Sequence, residues 1–203
     1  MRHLVMFSLL GYLSGSVLYA NVFFHLFGKG DMTAVSKDGN PGTANAFVYG
    51  GFRCGICTLF CDMFKGFLPV YIFLADTQGA PDWAIAPIIA APVLGHIFSV
   101  FHKLHGGKGI AVTFGCLLGL YPHIEAAGIL AVFFVLFSTV VIISPHFYRT
   151  LAAYAVSLCA MTVCHVDTYV WIGFMFVTVA VFYRLLTSEE KKERITVRLV
   201  WRS

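Results

Sequence analysis

The sequence predicts an all-α, polytopic membrane protein with seven transmembrane helices, its N-terminus outside and its C-terminus inside. Three observations carry that reading. The 203 residues are 59% hydrophobic and 12% charged, with a mean hydropathy of +0.81, whereas a soluble domain carries about a quarter charged residues. Apolar runs recur at 4–24, 54–75, 84–101, 109–122, 124–143, 150–165 and 168–187, each about the length that crosses or enters a bilayer. Lysine and arginine fall on one side of that arrangement. The loops 25–50, 102–108 and 144–149 and the C-terminal tail hold Lys29, Lys37, Lys103, Lys108, Arg149, Lys191, Lys192, Arg194, Arg198 and Arg202. The opposite loops, 76–83, 122–124 and 165–168, hold none, and only Arg2 shares their side. Basic loops stay cytoplasmic, which sets the orientation.

The first run follows Met1-Arg2-His3 and is too long for a cleaved signal core, so it reads as a retained helix. It contains Ser14, Gly15, Ser16 and Asn21, residue types that glue helices together in membranes. The second run places Asp62 and Lys65 three residues apart, on one helix face where they can neutralise each other, either as a structural ion pair or in a substrate role. Cys54, Cys57 and Cys61 on the same run follow helical spacing, and Cys54-x-x-Cys57 has no second half. No metal site and no disulfide framework are expected from them. The third run buries His96 about 8 Å of helix rise from its cytoplasmic end, a depth that demands a cavity or a partner.

The fourth run, 109–122, is short: about 20 Å of helix against a hydrocarbon core of about 30 Å. A re-entrant segment is one option, but only a full crossing keeps the basic tail inside. The last three runs complete the bundle. Residues 1–187 are therefore expected to form a single domain and 188–203 a basic cytoplasmic tail, with no linker or internal repeat between them. The net charge of +4 sits in loops and tail and does not suggest a nucleic-acid surface.

Two polar glycine-rich stretches interrupt this apolar chain. One is Ser36-Lys37-Asp38-Gly39-Asn40-Pro41-Gly42-Thr43-Ala44-Asn45; the other is Gly106-Gly107-Lys108-Gly109, preceded by Lys103 and His105. Glycines expose backbone N–H groups and a lysine adds a point charge, so such loops suit phosphate. The second is not a P-loop, because GxxxxGK[ST] and a preceding strand are both absent. Lys108 could instead be an interfacial anchor, but two extra glycines serve no anchoring purpose. His96 could act as a base toward a hydroxyl, donate to an oxygen, or bridge two helices. Arg53 could reach a headgroup or phosphate. A His-x4-Asp pair and a Gly-x-Ser-x-Gly elbow are both absent, which excludes the soluble-type glycerolipid acyltransferase signature and a serine acyl-enzyme.

Four of these stretches, between residues 11 and 119, resemble the bacterial acyl-phosphate-dependent glycerol-3-phosphate acyltransferases. They are Leu13-Ser14-Gly15-Ser16, the 38–45 loop, Asp62-Met63-Phe64-Lys65-Gly66, and Gly95-His96-Ile97-Phe98 followed by Gly106-Gly107-Lys108-Gly109. The resemblance implies a seven-helix enzyme that moves a fatty acyl group from acyl phosphate to glycerol 3-phosphate, giving lysophosphatidic acid and phosphate. It implies no cofactor and no metal. Glycerol 3-phosphate, acyl phosphate and membrane lipid are the expected partners, at a cell membrane with the active site facing the cytoplasm. His96 and Lys108 would be catalytic; Ser16, Asn40, Gly42, Asn45, Arg53, Lys65, Gly106, Gly107 and Gly109 would bind substrate. The chain departs from the family pattern at Asp38 (usually Ser), Val48 (Arg), Ser99 (Pro) and His105 (a basic residue), and its ending at 184–198 is not clearly that of the family. The competing class is a carrier for a phosphorylated metabolite, whose usual inverted repeats are not visible here.

Overall fold

A computed structural model describes residues 1–36, 38–77, 81–188 and 193–201. Lys37, part of the 76–83 loop, and Lys191, Lys192 and Arg202 of the tail lie outside the described residues. The helices are α1 (Arg2–Ser16), α2 (Tyr19–Leu26), α3 (Met32–Val35), α4 (Thr43–Gly50), α5 (Phe52–Asp76), α6 (Ile85–Ile97), α7 (Ile110–Leu118), α8 (Glu125–Thr139), α9 (His146–Val163) and α10 (Thr168–Leu186). Single 3-10 turns, Asp82–Ala84 and Val100–His102, flank α6. The strands β1 (Val141–Ser144) and β2 (Thr196–Leu199) pair antiparallel, with Val141 opposite Leu199 and Ser144 opposite Thr196.

Among the described residues, four segments are long and apolar enough to cross a membrane: Arg2–Leu26, Phe52–Asp76, Asp82–His102 and Thr168–Leu186. Glu125–Thr139 is apolar but shorter. Large apolar side chains such as Leu9, Phe60, Val132, Val135, Phe176 and Val179 face outward, as expected of a protein whose solvent is lipid. The chain is thus a mostly helical, membrane-embedded protein.

Two apolar runs differ from their expected form. The first is broken between α1 and α2, where Val17 turns extended at φ −73 and ψ 115. Its freed carbonyl accepts a hydrogen bond from Lys65 Nζ, so a buried ammonium satisfies what the helix gives up. The fifth run stops being helical at Thr139. The β-branched stretch Val140-Val141-Ile142-Ile143 and the following Pro145 favour extended backbone, and the chain from Thr196 supplies a pairing partner. The tail is therefore tied back to the bundle through this ribbon.

α6 is the central helix, with ten of its thirteen residues buried. It packs against α1, α5, α7 and α10. Approach to α1 is close because both sides lack a side chain: a Cβ on Gly15 would lie 2.0 Å from Pro92 O, and one on Gly95 2.0 Å from Tyr12 O. The α5–α7 pair uses the same device, Gly115 against the Met63 carbonyl and Gly66 against that of Val112. Small residues at such contacts let membrane helices approach to backbone distance. As a result His96, near the end of α6, is pressed against side chains from α5 and the loop before α7.

Candidate active site

The 38–45 loop is organised around the Asp38 carboxylate. Its Oδ1 accepts hydrogen bonds from Asn45 Nδ2 at 2.7 Å and from the Asn40 amide at 3.3 Å. Asn45 Nδ2 also donates to Asn40 O at 2.8 Å. Oδ2 accepts from Lys108 Nζ at 3.1 Å, an ion pair joining the two glycine-rich loops across 70 residues of sequence. Burial by itself raises the Asp38 pKa, but the bond from Asn45, the Lys108 charge and the Asn40 amide outweigh it and hold the carboxyl below its usual range. Asp38 is therefore ionised at neutral pH, and Lys108 faces a partner already in place.

Below this lies a second polar cluster. Asp62 and Lys65 form a buried ion pair at 2.8 Å, as their spacing on α5 implies. Thr43 Oγ1, at the start of α4, donates to Asp62 Oδ2 at 3.3 Å. Lys65 Nζ also lies 2.9 Å from His96 Nδ1. An ammonium can only donate, so Nδ1 accepts and the imidazole proton belongs on Nε2. While Lys65 holds that place, His96 presents a neutral N–H toward the glycine loop and acts as a hydrogen-bond donor. It has no free lone pair there with which to take a proton.

The Gly106–Lys108 loop lies directly on His96. Gly107 N donates to His96 O at 3.1 Å. A Cβ on Gly106 would sit 1.8 Å from that carbonyl oxygen, and one on Gly107 2.2 Å from His96 Nε2. These two glycines are required by contact. Gly109, at φ +80, then turns the chain into α7.

Two cavities open around this loop. The larger, about 500 Å³, has a polar head formed by Asp38, Asn40, Asn45, His96 and Lys108, and an apolar wall that includes Phe47, Leu59, Ile110, Phe114 and Phe134. It suits a molecule with an anionic head and a hydrocarbon chain. The smaller, about 370 Å³, is lined by Thr33, Asp38, His105, Gly106, Tyr183 and Arg184 among others. Asp38 lines both.

The structure brings together His96, Lys108, Asn40, Gly42, Asn45 and Gly109 around the larger cavity, and places Gly106 on the smaller one. It separates others from it. Arg53 is exposed and lines neither cavity. Ser16 is buried; its hydroxyl donates to Tyr12 O at 2.9 Å and accepts from Val100 N at 3.4 Å. Lys65 supports His96 from behind, and the Gly107 amide is already bonded to His96 O. Ser99, one of the departures, donates to Ser16 O at 2.6 Å and so ties the end of α6 to α1. Val48 is 73% exposed on α4. Sequence reasoning passed over Arg184 and His146. Arg184 donates to Gly106 O through Nη2 at 2.8 Å and Nε at 3.2 Å, and His146 lines the larger cavity. An arginine in the last turn of an apolar span reads as an anchor, and a histidine at a helix start as surface, so neither carried a local signal.

The family model for glycerol-3-phosphate acyltransferase matches residues 5–195. The chain belongs to the glycerol-3-phosphate acyltransferase family. A glycerol-3-phosphate acyltransferase from Ralstonia pickettii is 37% identical over 155 residues, 71% of this chain and 74% of that one. Its counterpart from Ralstonia nicotianae is 40% identical over 118 residues, 57% of this chain and 56% of that one. Two crystal structures of PlsY, an integral membrane glycerol 3-phosphate acyltransferase, share the fold. The lysophosphatidic acid form matches with a TM-score of 0.73 and the glycerol 3-phosphate form with 0.75. Each is 23% identical and covers 89% of this chain and 87% of its own.

Proposed function

We infer that this member of the family transfers a fatty acyl group to glycerol 3-phosphate, with acyl phosphate as donor, giving 1-acyl-glycerol 3-phosphate (lysophosphatidic acid) and phosphate. The acceptor follows from family membership. The observation that carries the donor is the larger cavity, with Lys108 at a polar head and aromatic and aliphatic side chains along its wall. An acyl phosphate has that shape, and it brings its own leaving group, so no covalent enzyme intermediate is needed.

In this reading the acceptor hydroxyl oxygen attacks the acyl carbonyl carbon. The new ester bond forms as the carbon–oxygen bond to phosphate breaks. Phosphate leaves with the electron pair, and the hydroxyl proton passes to a phosphate oxygen. Lys108 stabilises charge growing on the leaving phosphate, with Asp38 holding the ammonium in register. His96 offers its Nε2–H toward the reacting centre, oriented by Lys65 on its other nitrogen. Asn40 Oδ1, a buried acceptor without a hydrogen-bond partner among the described residues, suits an acceptor hydroxyl. Asn45 and Gly42 shape the first loop, Gly106 and Gly107 let the second lie close on His96, and Gly109 turns it into α7. Ser16 and Lys65 act through their neighbours, and Arg53 meets headgroups or phosphate at the surface.

We further read seven crossings with the N-terminus outside and the C-terminus inside. Residues 1–187 form the membrane domain and 188–203 a basic cytoplasmic tail. Charge placement supports this, and it puts both glycine loops at the cytoplasmic face of the cell membrane, where a water-soluble acceptor meets a lipid-borne donor. Removing one charge-stabilising donor from such a site costs about 3–4 kcal/mol in the transition state. Lys108→Ala should therefore lower turnover of acyl phosphate with glycerol 3-phosphate by roughly 10²–10³-fold. The exposed Lys103→Ala should leave it close to the parent. Equal losses in the two purified variants would refute the role given to Lys108.

A further inference from the structure

One peptide unit is held from both sides. The Gly106–Gly107 peptide presents its C=O to Arg184, which donates through Nη2 at 2.8 Å and Nε at 3.2 Å. Its N–H points the opposite way and donates to His96 O at 3.1 Å. Arg184 belongs to the last turn of α10, 78 residues away. That end of α10 is itself fixed to the end of α6, because the Tyr183 and Phe98 rings pack at 5.8 Å. A two-point bond from a planar guanidinium sets direction as well as distance. With the peptide plane fixed, the next residue, Lys108, leaves the loop in one direction, toward Asp38 and the head of the larger cavity.

We propose that Arg184 is a positioning residue: by clamping the Gly106 carbonyl it sets the orientation of Lys108 and of the loop over His96. A small displacement of a charge-stabilising group can cost on the order of 10²-fold in rate. The kinetic part of this inference rests on the acyltransfer reading; the geometric part does not.

The test compares purified parent, Arg184→Ala and Arg184→Lys in lipid, with two readouts. In acyl transfer, Arg184→Ala should lose on the order of 10²-fold in kcat with KM for glycerol 3-phosphate nearly unchanged, and added methylguanidinium should restore part of the loss. Lysine keeps a donor but not the fork, so Arg184→Lys should fall between parent and alanine variant. The second readout is the rate at which acetic anhydride modifies the Lys108 amine, followed by mass spectrometry. It should rise in Arg184→Ala and fall back with methylguanidinium. A rise in KM with unchanged kcat and unchanged Lys108 reactivity would make Arg184 a substrate ligand and overturn the proposal. Unaltered kinetics and reactivity would overturn it too. If the parent transfers no acyl group, acyltransfer fails, and Lys108 reactivity still decides the clamp. If the alanine variant does not fold, the lysine variant is compared with the parent on the same readouts.

Discussion

Asp38 uses its two oxygens for two different elements, Oδ1 for its own loop and Oδ2 for Lys108 on the other. Its carboxyl titrates below the usual range in the folded protein. The sign follows from linkage: a depressed folded pKa contributes stability above the unfolded value of about 3.9, and that stability is lost as pH falls through the folded value. The unfolding temperature of the parent should therefore exceed that of Asp38→Asn at pH 7, with the gap closing as pH drops through and below the carboxylate range. A gap independent of pH would mean that the ion pair contributes nothing. Lys108 and His96 were legible because a polar residue inside an apolar or glycine-rich context has few structural uses. The Asp62–Lys65 pair was legible from spacing alone. Its contact with His96 was not, because that needs α5 and α6 docked. Ser16 was assigned to substrate by its place in a motif and Arg53 by its place near the cytoplasmic end of a span; the structure puts Arg53 on the surface and Ser16 in a helix-tying hydrogen bond.

Glycine contacts decide how closely the helices meet. Gly15 and Gly95 each face a backbone carbonyl across the α1–α6 interface at a distance that no Cβ tolerates, whereas nothing lies within 4 Å of a Cβ on Gly128 in α8. Gly15→Ala and Gly95→Ala should each destabilise by about 1–3 kcal/mol through overpacking. Gly128→Ala should be neutral or slightly stabilising, since alanine is the better helix former. Thermal unfolding in detergent checks this, and three equal shifts would remove the close-packing argument. Apolar runs located the helices well, including 168–187 against Thr168–Leu186. They could not reveal the break at Val17, which is stabilised by Lys65 from another helix. Nor could they reveal β1, whose partner lies more than fifty residues away.

At the scale of the molecule, orientation rests on α7. Its nine residues span only about 14 Å, yet it must carry the chain across if the loops on its two sides face opposite compartments. With the native cysteines replaced, Lys103→Cys should react with a membrane-impermeant maleimide only from the cytoplasmic side, and His123→Cys only from outside. Both reacting from one side would make α7 re-entrant and reverse the orientation of α8, α9 and α10. The helical, membrane-embedded class was readable because membrane constraint acts along the sequence. The pairing of cavities around one loop was not, since it arises from α4, α6, α7 and α10 together. Two phosphate-bearing substrates are proposed to react with each other at this site, neither being merely carried across. The most direct measurement gives purified protein in sealed vesicles a defined acyl phosphate and glycerol 3-phosphate, with acyl-CoA as control. Phosphate and lysophosphatidic acid should appear in equal amounts, only when glycerol 3-phosphate is present, and acyl-CoA should not replace the acyl phosphate. Uptake of glycerol 3-phosphate into the vesicles with no lysophosphatidic acid formed would contradict it.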